Sequence, residues 1–193
     1  MKFVLNTRTQ AFSQIINNTG ITNSQHQAFP LEDGISEITK LIASTKDKKG
    51  MTYVIGNGGS SAVAGHAVID LLNMGKIPAM TLHDPATITC LSNDYGYETV
   101  YESQLKNLVR PNDLLIAISS SGKSKNILNA VSAAKASNAK VVTLSGFSAE
   151  NPLRKTGDVN IWLDSSDYGF VEIGHAFILH NITDRLMVNE GIQ

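Results

Sequence analysis

The sequence has little of what builds a disulfide-stabilised or membrane-spanning protein. Among its 193 residues there is one cysteine, Cys90, which excludes an internal disulfide and a thiolate metal cluster and favours a reducing compartment. We expect that thiol to be a small buried core group. No apolar run approaches the roughly 20 residues that span a bilayer. We therefore expect a cytoplasmic protein that does not associate with a membrane.

An excess of charge of one sign is also lacking. The chain has 16 basic and 17 acidic residues, a formal net charge of -1, so no broad positive field attracts nucleic acid, which is not expected as a partner. An anionic ligand must then be held by local groups. With 42% hydrophobic residues, the chain can bury one core, and we expect a single domain over 1–193.

The hydrophobic pattern changes near position 50. Over 10–44 apolar residues recur at helical spacing in two segments around the polar stretch TGITNSQHQ, which predicts a helical N-terminal arm over 1–49. The core over 50–193 alternates helical segments with short apolar runs. These runs are MTYVI, IPAMTL, DLLIAI, AKVVTL and VNIWL. The alternation predicts an α/β fold, a three-layer sandwich with a five-stranded parallel, flavodoxin-like sheet and helices on both faces.

Two loops rich in serine and glycine each follow a predicted strand and precede a predicted helix. The first is GNGGSS over 56–61, whose glycines allow close backbone approach to a ligand and whose Ser60 or Ser61 is expected to cap the helix. The second is SSSGKS over 119–124, whose hydroxyls and helix N-terminus form a neutral anion cradle. Since ligands bind beyond the carboxyl ends of parallel strands, the two loops predict a phosphate site there.

Neither loop completes a nucleotide-binding motif. The first has Ser61 where the dinucleotide fingerprint requires glycine, and its acidic match, Asp84, precedes a proline as turn residues often do. The second ends like a Walker A motif but has Ala117 at the position of the motif's first glycine. We expect no nucleotide cofactor; a capped turn without a ligand is the alternative for either loop alone.

Titratable side chains recur on two predicted helices. His66 and Asp70 are at i and i+4 and share a helix face, where they could hold a proton or a metal ion. On the final helix Glu172 and His180 lie about 12 Å apart along the axis. One ion can join them only if the helix begins after Glu172 or a neighbouring subunit completes the site. A structural role is the alternative for a lone histidine, and we expect His175 to be a solvated bystander.

Together these motifs resemble the sugar isomerase (SIS) domain family, and within it the phosphoheptose isomerases. The resemblance rests on GNGGS, a helical histidine and carboxylate, SNDYG, AISSSGKSKN, TLSGF and a final-helix glutamate and histidine, and it spans nearly the whole chain. It implies an isomerase that converts D-sedoheptulose 7-phosphate to D-glycero-D-manno-heptose 7-phosphate through an enediol, in heptose synthesis for lipopolysaccharide or capsule. It also implies a homotetramer with sites at subunit interfaces. The alternative is a non-catalytic phosphosugar-binding module with a regulatory or protein-partner role.

The resemblance also assigns residues of the site. It implies that Asp70 is the catalytic base and His180 the partner acid. The implied zinc ligands are His66, Asp70, Glu172 and His180. The implied substrate-binding residues are Asn57, Gly58, Gly59, Ser60, Asn93 and Asp94 of the SNDYG loop, Ser119, Ser120, Ser121, Ser124 and Glu172. The chain departs from the family by having Asp70 for a glutamate, Glu172 for a glutamine, Met74 for an arginine and Gly169 for an aspartate.

Overall fold

A computed structural model describes residues 3–189, which form one mixed α/β sheet structure. The strands are β1 (Gly20–Asn23), β2 (Ala28–Phe29), β3 (Thr52–Ile55), β4 (Ala79–Thr81), β5 (Leu114–Ser119), β6 (Lys140–Ser145) and β7 (Val159–Trp162). The helices are α1 (Leu5–Asn17), α2 (Leu31–Asp47), α3 (Gly59–Asn73), α4 (Pro85–Tyr95), α5 (Val100–Leu108), α6 (Lys125–Ala136) and α7 (Tyr168–Asn189). The strand order is β2-β1-β7-β6-β5-β3-β4.

The five predicted apolar runs each correspond to one strand of the parallel part of the sheet, to within one residue at the carboxyl end. Strands β3 to β7 pair in parallel, in the order β7-β6-β5-β3-β4. All residues of β3 and β5 are buried, because helices cover both faces of the sheet. Apolar and polar side chains therefore do not alternate along these strands. The carboxyl ends of β3 and β5 therefore lie side by side, and the two glycine- and serine-rich loops leave the sheet at the same edge.

The expectation of a five-stranded, wholly parallel sheet is wrong, because the N-terminal arm is not entirely helical. The stretch TGITNSQHQ contains β1, which pairs antiparallel with β7 and with β2. Its turn is stabilised by the Asn23 side chain, whose Oδ1 accepts hydrogen bonds from the N–H groups of Gln25 and Gln27. Only Ile21 of β1 is buried, so this strand shows almost no hydrophobic pattern.

Helix α4 is a second difference from the sequence reading. It places Asn93 and Asp94 in a last helical turn rather than in a loop. Asp84 caps this helix, since its Oδ1 accepts a 2.9 Å hydrogen bond from the N–H of Thr87. Cys90 lies exposed on the same helix, so the expectation of a buried thiol is wrong. Helix α4 has no buried residue, which explains why it has no clear apolar stripe.

Helices pack against both faces of the sheet, so the core has three layers. One hydrophobic layer joins α2, α3 and α7 to the sheet, and the other joins α5 and α6 to its opposite face. Helices α3 and α7 are neighbours on the first face, which brings polar residues of the final helix close to those of α3. Within residues 3–189, no helix has both the length and the hydrophobicity needed to cross a membrane.

Candidate active site

The loop after β3 turns sharply into α3. Gly58 is the N-cap of α3, with φ 54° and ψ -122°, a left-handed conformation that side chains rarely allow. The expectation that Ser60 or Ser61 caps the helix is wrong. The N-cap residue is Gly58, which has no side chain to cap with. The Ser61 hydroxyl bonds instead to His83 Nδ1 at 2.8 Å. A Cβ atom on Gly59 would collide with both carboxylate oxygens of Glu172. Close packing therefore holds Glu172 against the start of α3.

The loop after β5 has the form of an anion cradle. Ser124 is the N-cap of α6, and its Oγ accepts a 3.2 Å hydrogen bond from Ser119 Oγ. Gly122 takes φ 64°, and a Cβ there would collide with the Asn151 side chain. The Ser120 hydroxyl is buried and has no hydrogen-bond partner among the described residues. A buried hydroxyl without a partner is destabilising unless a ligand or water satisfies it.

The two loops form one cleft of about 320 Å³, within the size range of small-ligand sites. It is lined by Asn57, Gly58, Gly59, Ser60, Ile118, Ser119, Ser120, Ser121, Ser124, Tyr168 and Glu172. Hydroxyl and amide groups dominate this lining, and Glu172 is its one charged side chain. An anion in the cleft must therefore be held by neutral donors and by the N-termini of α3 and α6.

Asn93 and Asp94 are not brought to the cleft. Both are exposed at the end of α4, and neither lines the cleft. Their side chains instead bond to each other, Asn93 Nδ2 donating to Asp94 Oδ1 at 2.9 Å. Asp94 also accepts a weak hydrogen bond from the thiol of Cys90, and this contact raises the pKa of the thiol.

A second polar cluster joins α3 to α7. His180 Nδ1 lies 2.8 Å from Asp70 Oδ2, and His66 Nε2 lies 3.2 Å from the same oxygen. Asp70 is only 6% exposed, whereas both imidazoles reach solvent. The hydrogen bond to Asp70 raises the pKa of His180 above its ordinary value. We call these three residues the His–Asp cluster; their ligand atoms lie within 4.8 Å of one another.

The cleft and the His–Asp cluster lie at different places along α3. Gly59 begins the helix in the cleft, and Asp70 follows it by about 16 Å along the axis. Glu172 lies in the cleft, where it lines the wall with Gly59, and it is not part of the His–Asp cluster. Within one chain, three of the four predicted zinc ligands therefore meet. Two imidazoles and a carboxylate are a donor set that zinc accepts, with a coordination position left open.

His175 is a structural residue of α7, so the expectation of a solvated side chain is wrong. It is 0% exposed, its Nε2 donates to the Ser145 carbonyl at 3.1 Å, and its Nδ1 has no partner among the described residues. Burial lowers the pKa of His175 to about 4. The signal was available, because Val171, Ile178 and Ile182 form a buried stripe with His175 at helical spacing.

Tyr168 lines the cleft and was missed by the sequence reading. It is at the first position of α7, and its ring packs edge-on against Phe147 at 4.7 Å between centroids. Asn126, in the quoted string AISSSGKSKN, was also missed; it is buried behind the cleft and bonds to Asn57. Neither residue carries a charge or a periodic pattern that marks it in the sequence.

Comparison with known proteins gives one consistent family. Residues 20–146 match the SIS domain. The chain is 34% identical over 149 residues to the phosphoheptose isomerase of Campylobacter concisus, covering 74% of this chain and 78% of that protein. It is 33% identical over 162 residues to that of Geotalea daltonii, covering 81% and 84%. The structure of a phosphoheptose isomerase from Francisella tularensis superposes with a TM-score of 0.82 at 28% identity, covering 95% of this chain and 96% of that one.

Proposed function

The chain belongs to the SIS domain family, and we propose that it is a phosphosugar isomerase that interconverts D-sedoheptulose 7-phosphate and D-glycero-D-manno-heptose 7-phosphate. The relatives named above supply the reaction class. The observation that carries the proposal is the contact of Asp70 with His180 on neighbouring helices, in a chain that also has a cleft of neutral hydroxyl donors. Such a chain has both an acid–base pair and a place for a phosphate.

The cleft is proposed to bind the phosphate end of the sugar. Ser121 and Ser124 supply hydroxyl donors, and Ser119 Oγ donates to Ser124 Oγ, which leaves the Ser124 hydrogen for the ligand. Ser120 supplies a hydroxyl that is buried and lacks a partner among residues 3–189. The N-termini of α3 and α6 add a favourable dipole. The carboxylate of Glu172 repels a phosphate. We therefore place Glu172 beside the sugar hydroxyls, from which it accepts hydrogen bonds.

The His–Asp cluster is proposed to move the protons. The Asp70 carboxylate takes a proton from C1 of the ketose while His180 donates one to the C2 oxygen, which gives a 1,2-enediol. Loss of the O1 proton and return of a proton to C2 then give the aldose. Both imidazoles lie against Asp70 Oδ2, His180 at 2.8 Å and His66 at 3.2 Å, which leaves Oδ1 of this nearly buried carboxylate to act as the base.

Zinc is proposed as a ligand of the same cluster. His66, Asp70 and His180 would hold it, and their donor atoms already lie close enough together. Bound there, zinc would supply a Lewis acid that polarises the C2 carbonyl of the ketose and the C1 carbonyl of the aldose. Glu172 of the same chain lies in the cleft, so its part in metal binding requires the cleft of a neighbouring subunit.

A cytoplasmic homotetramer with shared sites is the assembly that we propose. The cleft and the His–Asp cluster are separated along α3, so one subunit's cleft can face a neighbour's cluster. Large apolar side chains lie exposed on the same two helices, among them Ile69 on α3 and Ile173 and Phe177 on α7. Exposed apolar side chains clustered beside a site are typical of protein–protein interfaces.

Incubation of the purified protein with sedoheptulose 7-phosphate, with and without zinc, tests the function. We expect NMR to show an aldoheptose phosphate, and we expect none with the His180→Ala variant. Saturable binding of the phosphosugar without turnover by the wild-type protein would contradict the isomerase and favour a regulatory phosphosugar-binding module.

A further inference from the structure

We infer that Asn126 and Tyr97 are positioning residues that fix the side-chain amide of Asn57, so that Asn57 offers the cleft one N–H donor and no acceptor. The inference deepens the proposed function, on which it rests for the identity of the ligand as a sugar phosphate. Asn57 directly precedes the N-cap of α3, two residues after the end of β3, and it lines the cleft.

Asn57 and Asn126 form a reciprocal amide pair across the two loops. Asn57 Nδ2 donates to Asn126 Oδ1 at 2.9 Å, and Asn126 Nδ2 donates to Asn57 Oδ1 at 2.8 Å. Asn126 is only 3% exposed in the first turn of α6. Tyr97 adds a third bond, since its hydroxyl donates to Asn57 Oδ1 at 3.0 Å.

The polarity of this pair is set by a backbone group. The N–H of Ile127 is shared between the Ser124 carbonyl and Asn126 Oδ1, with its nitrogen 3.0 Å from the latter, and a backbone N–H can only donate. That atom of Asn126 must therefore be its oxygen, because an NH₂ group there would face a second donor. It follows that the atom of Asn57 opposite it is Nδ2, and that Asn57 Oδ1 receives both Asn126 Nδ2 and the Tyr97 hydroxyl.

Counting donors and acceptors then defines what Asn57 can bind. Its carbonyl oxygen has two lone pairs, and the bonds from Asn126 and Tyr97 use both. Its amide nitrogen has two hydrogens, and within residues 3–189 only the bond to Asn126 uses one. The remaining N–H is the group available to a ligand. Asn57 is therefore selective for an oxygen that accepts, such as a phosphate or carbonyl oxygen, and cannot accept from a sugar hydroxyl.

The segment that carries Tyr97 is held firmly against the first loop. The Tyr101 hydroxyl donates to the carbonyl of Gly56 at 2.6 Å. On the other side, Asn129 Nδ2 of α6 donates to the carbonyl of Glu98 at 3.0 Å. Tyr97 itself is 50% exposed, so loss of its hydroxyl leaves no cavity and should not unfold the protein. Tyr97→Phe is therefore a clean test of the positioning role.

The first test needs no ligand. We compare ¹H–¹⁵N spectra of each variant with the spectrum of the wild-type protein. Tyr97→Phe should shift the side-chain amide signals of Asn57, whereas Tyr95→Phe should leave them in place. Tyr95 is a matched control because it is also exposed, two residues away, and its hydroxyl makes no hydrogen bond in the described structure. Unchanged Asn57 signals in Tyr97→Phe would overturn the inference whether or not the protein is an isomerase.

The second test is a double-mutant cycle on binding. Tyr97→Phe should weaken the binding of inorganic phosphate or of sedoheptulose 7-phosphate about fivefold, the effect of one hydrogen bond, and should have no effect in an Asn57→Ala background. Asn126→Ala, which removes the donor to Asn57 Oδ1 without adding a charge, should also weaken binding, again only when Asn57 is present. Equal losses in both backgrounds would show that Tyr97 and Asn126 do not act through Asn57. Loss for the phosphosugar but not for phosphate would place the accepting oxygen on the sugar.

Discussion

The cleft and the His–Asp cluster lie on the same helix, α3, yet they are built in opposite ways. The cleft is made of backbone turns, neutral hydroxyls and helix N-termini, with Glu172 as its one charged side chain. The His–Asp cluster is made of three titratable side chains from α3 and α7. One region can bind an anion without changing its own protonation, and the other can take up and release protons. The difference indicates a division of labour between binding and chemistry.

The cluster should carry the chemistry and little of the binding. We expect Asp70→Asn, which keeps the shape of the side chain but removes its basicity, to lower turnover by about a thousandfold. The affinity for the sugar phosphate should change much less. Steady-state kinetics and calorimetric titration of the same preparation measure the two effects. Comparable losses of turnover and affinity would remove the distinction between the two regions.

Metal binding should depend on the His–Asp cluster. Loss of a supporting partner of a metal ligand typically lowers affinity up to about 100-fold, so His66→Ala, which removes a proposed ligand itself, should cost at least as much. Competition with a chromogenic chelator measures zinc affinity without any substrate. His26→Ala is the matched control, because His26 is exposed and lies outside the cluster. Equal zinc affinities of the two variants would place the metal elsewhere.

His175 should behave as neither binding nor catalytic residue, although it lies between Glu172 and His180 on α7. Its pKa of about 4 in the folded protein is below the ordinary value of about 6.5, so the unfolded chain takes up the proton first. The stability that His175 contributes is complete above that ordinary value and is lost as the pH falls toward 4. From pH 7 to pH 5 the loss should be about 2 kcal/mol.

Urea unfolding at the two pH values measures this loss. Relative to the wild type, a His175→Gln variant should lose about 2 kcal/mol less stability between pH 7 and pH 5. Equal changes in stability between pH 7 and pH 5 in the wild type and in the His175→Gln variant would contradict the buried, neutral state of His175.

Gly59→Ala should impair the cleft and spare the cluster. The added methyl group must displace the Glu172 carboxylate, so we expect the KM for the sugar phosphate to rise about tenfold, the loss of one to two good hydrogen bonds, with kcat less affected. Gly65→Ala is the matched control on the same helix, since its Cβ would meet no atom closer than 4.0 Å. A kcat loss without a change in KM would show that position 59 affects the chemistry instead.

The two loops of the cleft could be predicted from the sequence far better than the contact between α3 and α7. Strand, turn and helix follow one another along the chain at both loops, so local residues such as Gly58 and Ser124 reveal the site. The pairing of His66 with Asp70 is local too, at helical spacing. The contact of Asp70 with His180 comes from packing of α3 on α7 across 110 residues of sequence, and the sequence reading connected them through family resemblance.

What the sequence did not reveal has few local signals. Strand β1 buries a single side chain, Ile21, and pairs with β7 at the far end of the chain. Helix α4 buries none, so hydrophobic periodicity does not mark it. Glu172 was grouped with the metal ligands by resemblance, and the side-chain positions within one chain place it in the cleft.

The proton transfer assigned to Asp70 is tested most directly by running the reaction with sedoheptulose 7-phosphate in D₂O and locating deuterium by NMR. The account predicts deuterium at C2 of the aldoheptose phosphate and, with time, at C1 of the remaining ketose, because the proton passes through a carboxylate whose histidine partners reach solvent. Product that forms at the same rate with no deuterium on carbon would contradict transfer through an enediol and a solvent-exchanging base.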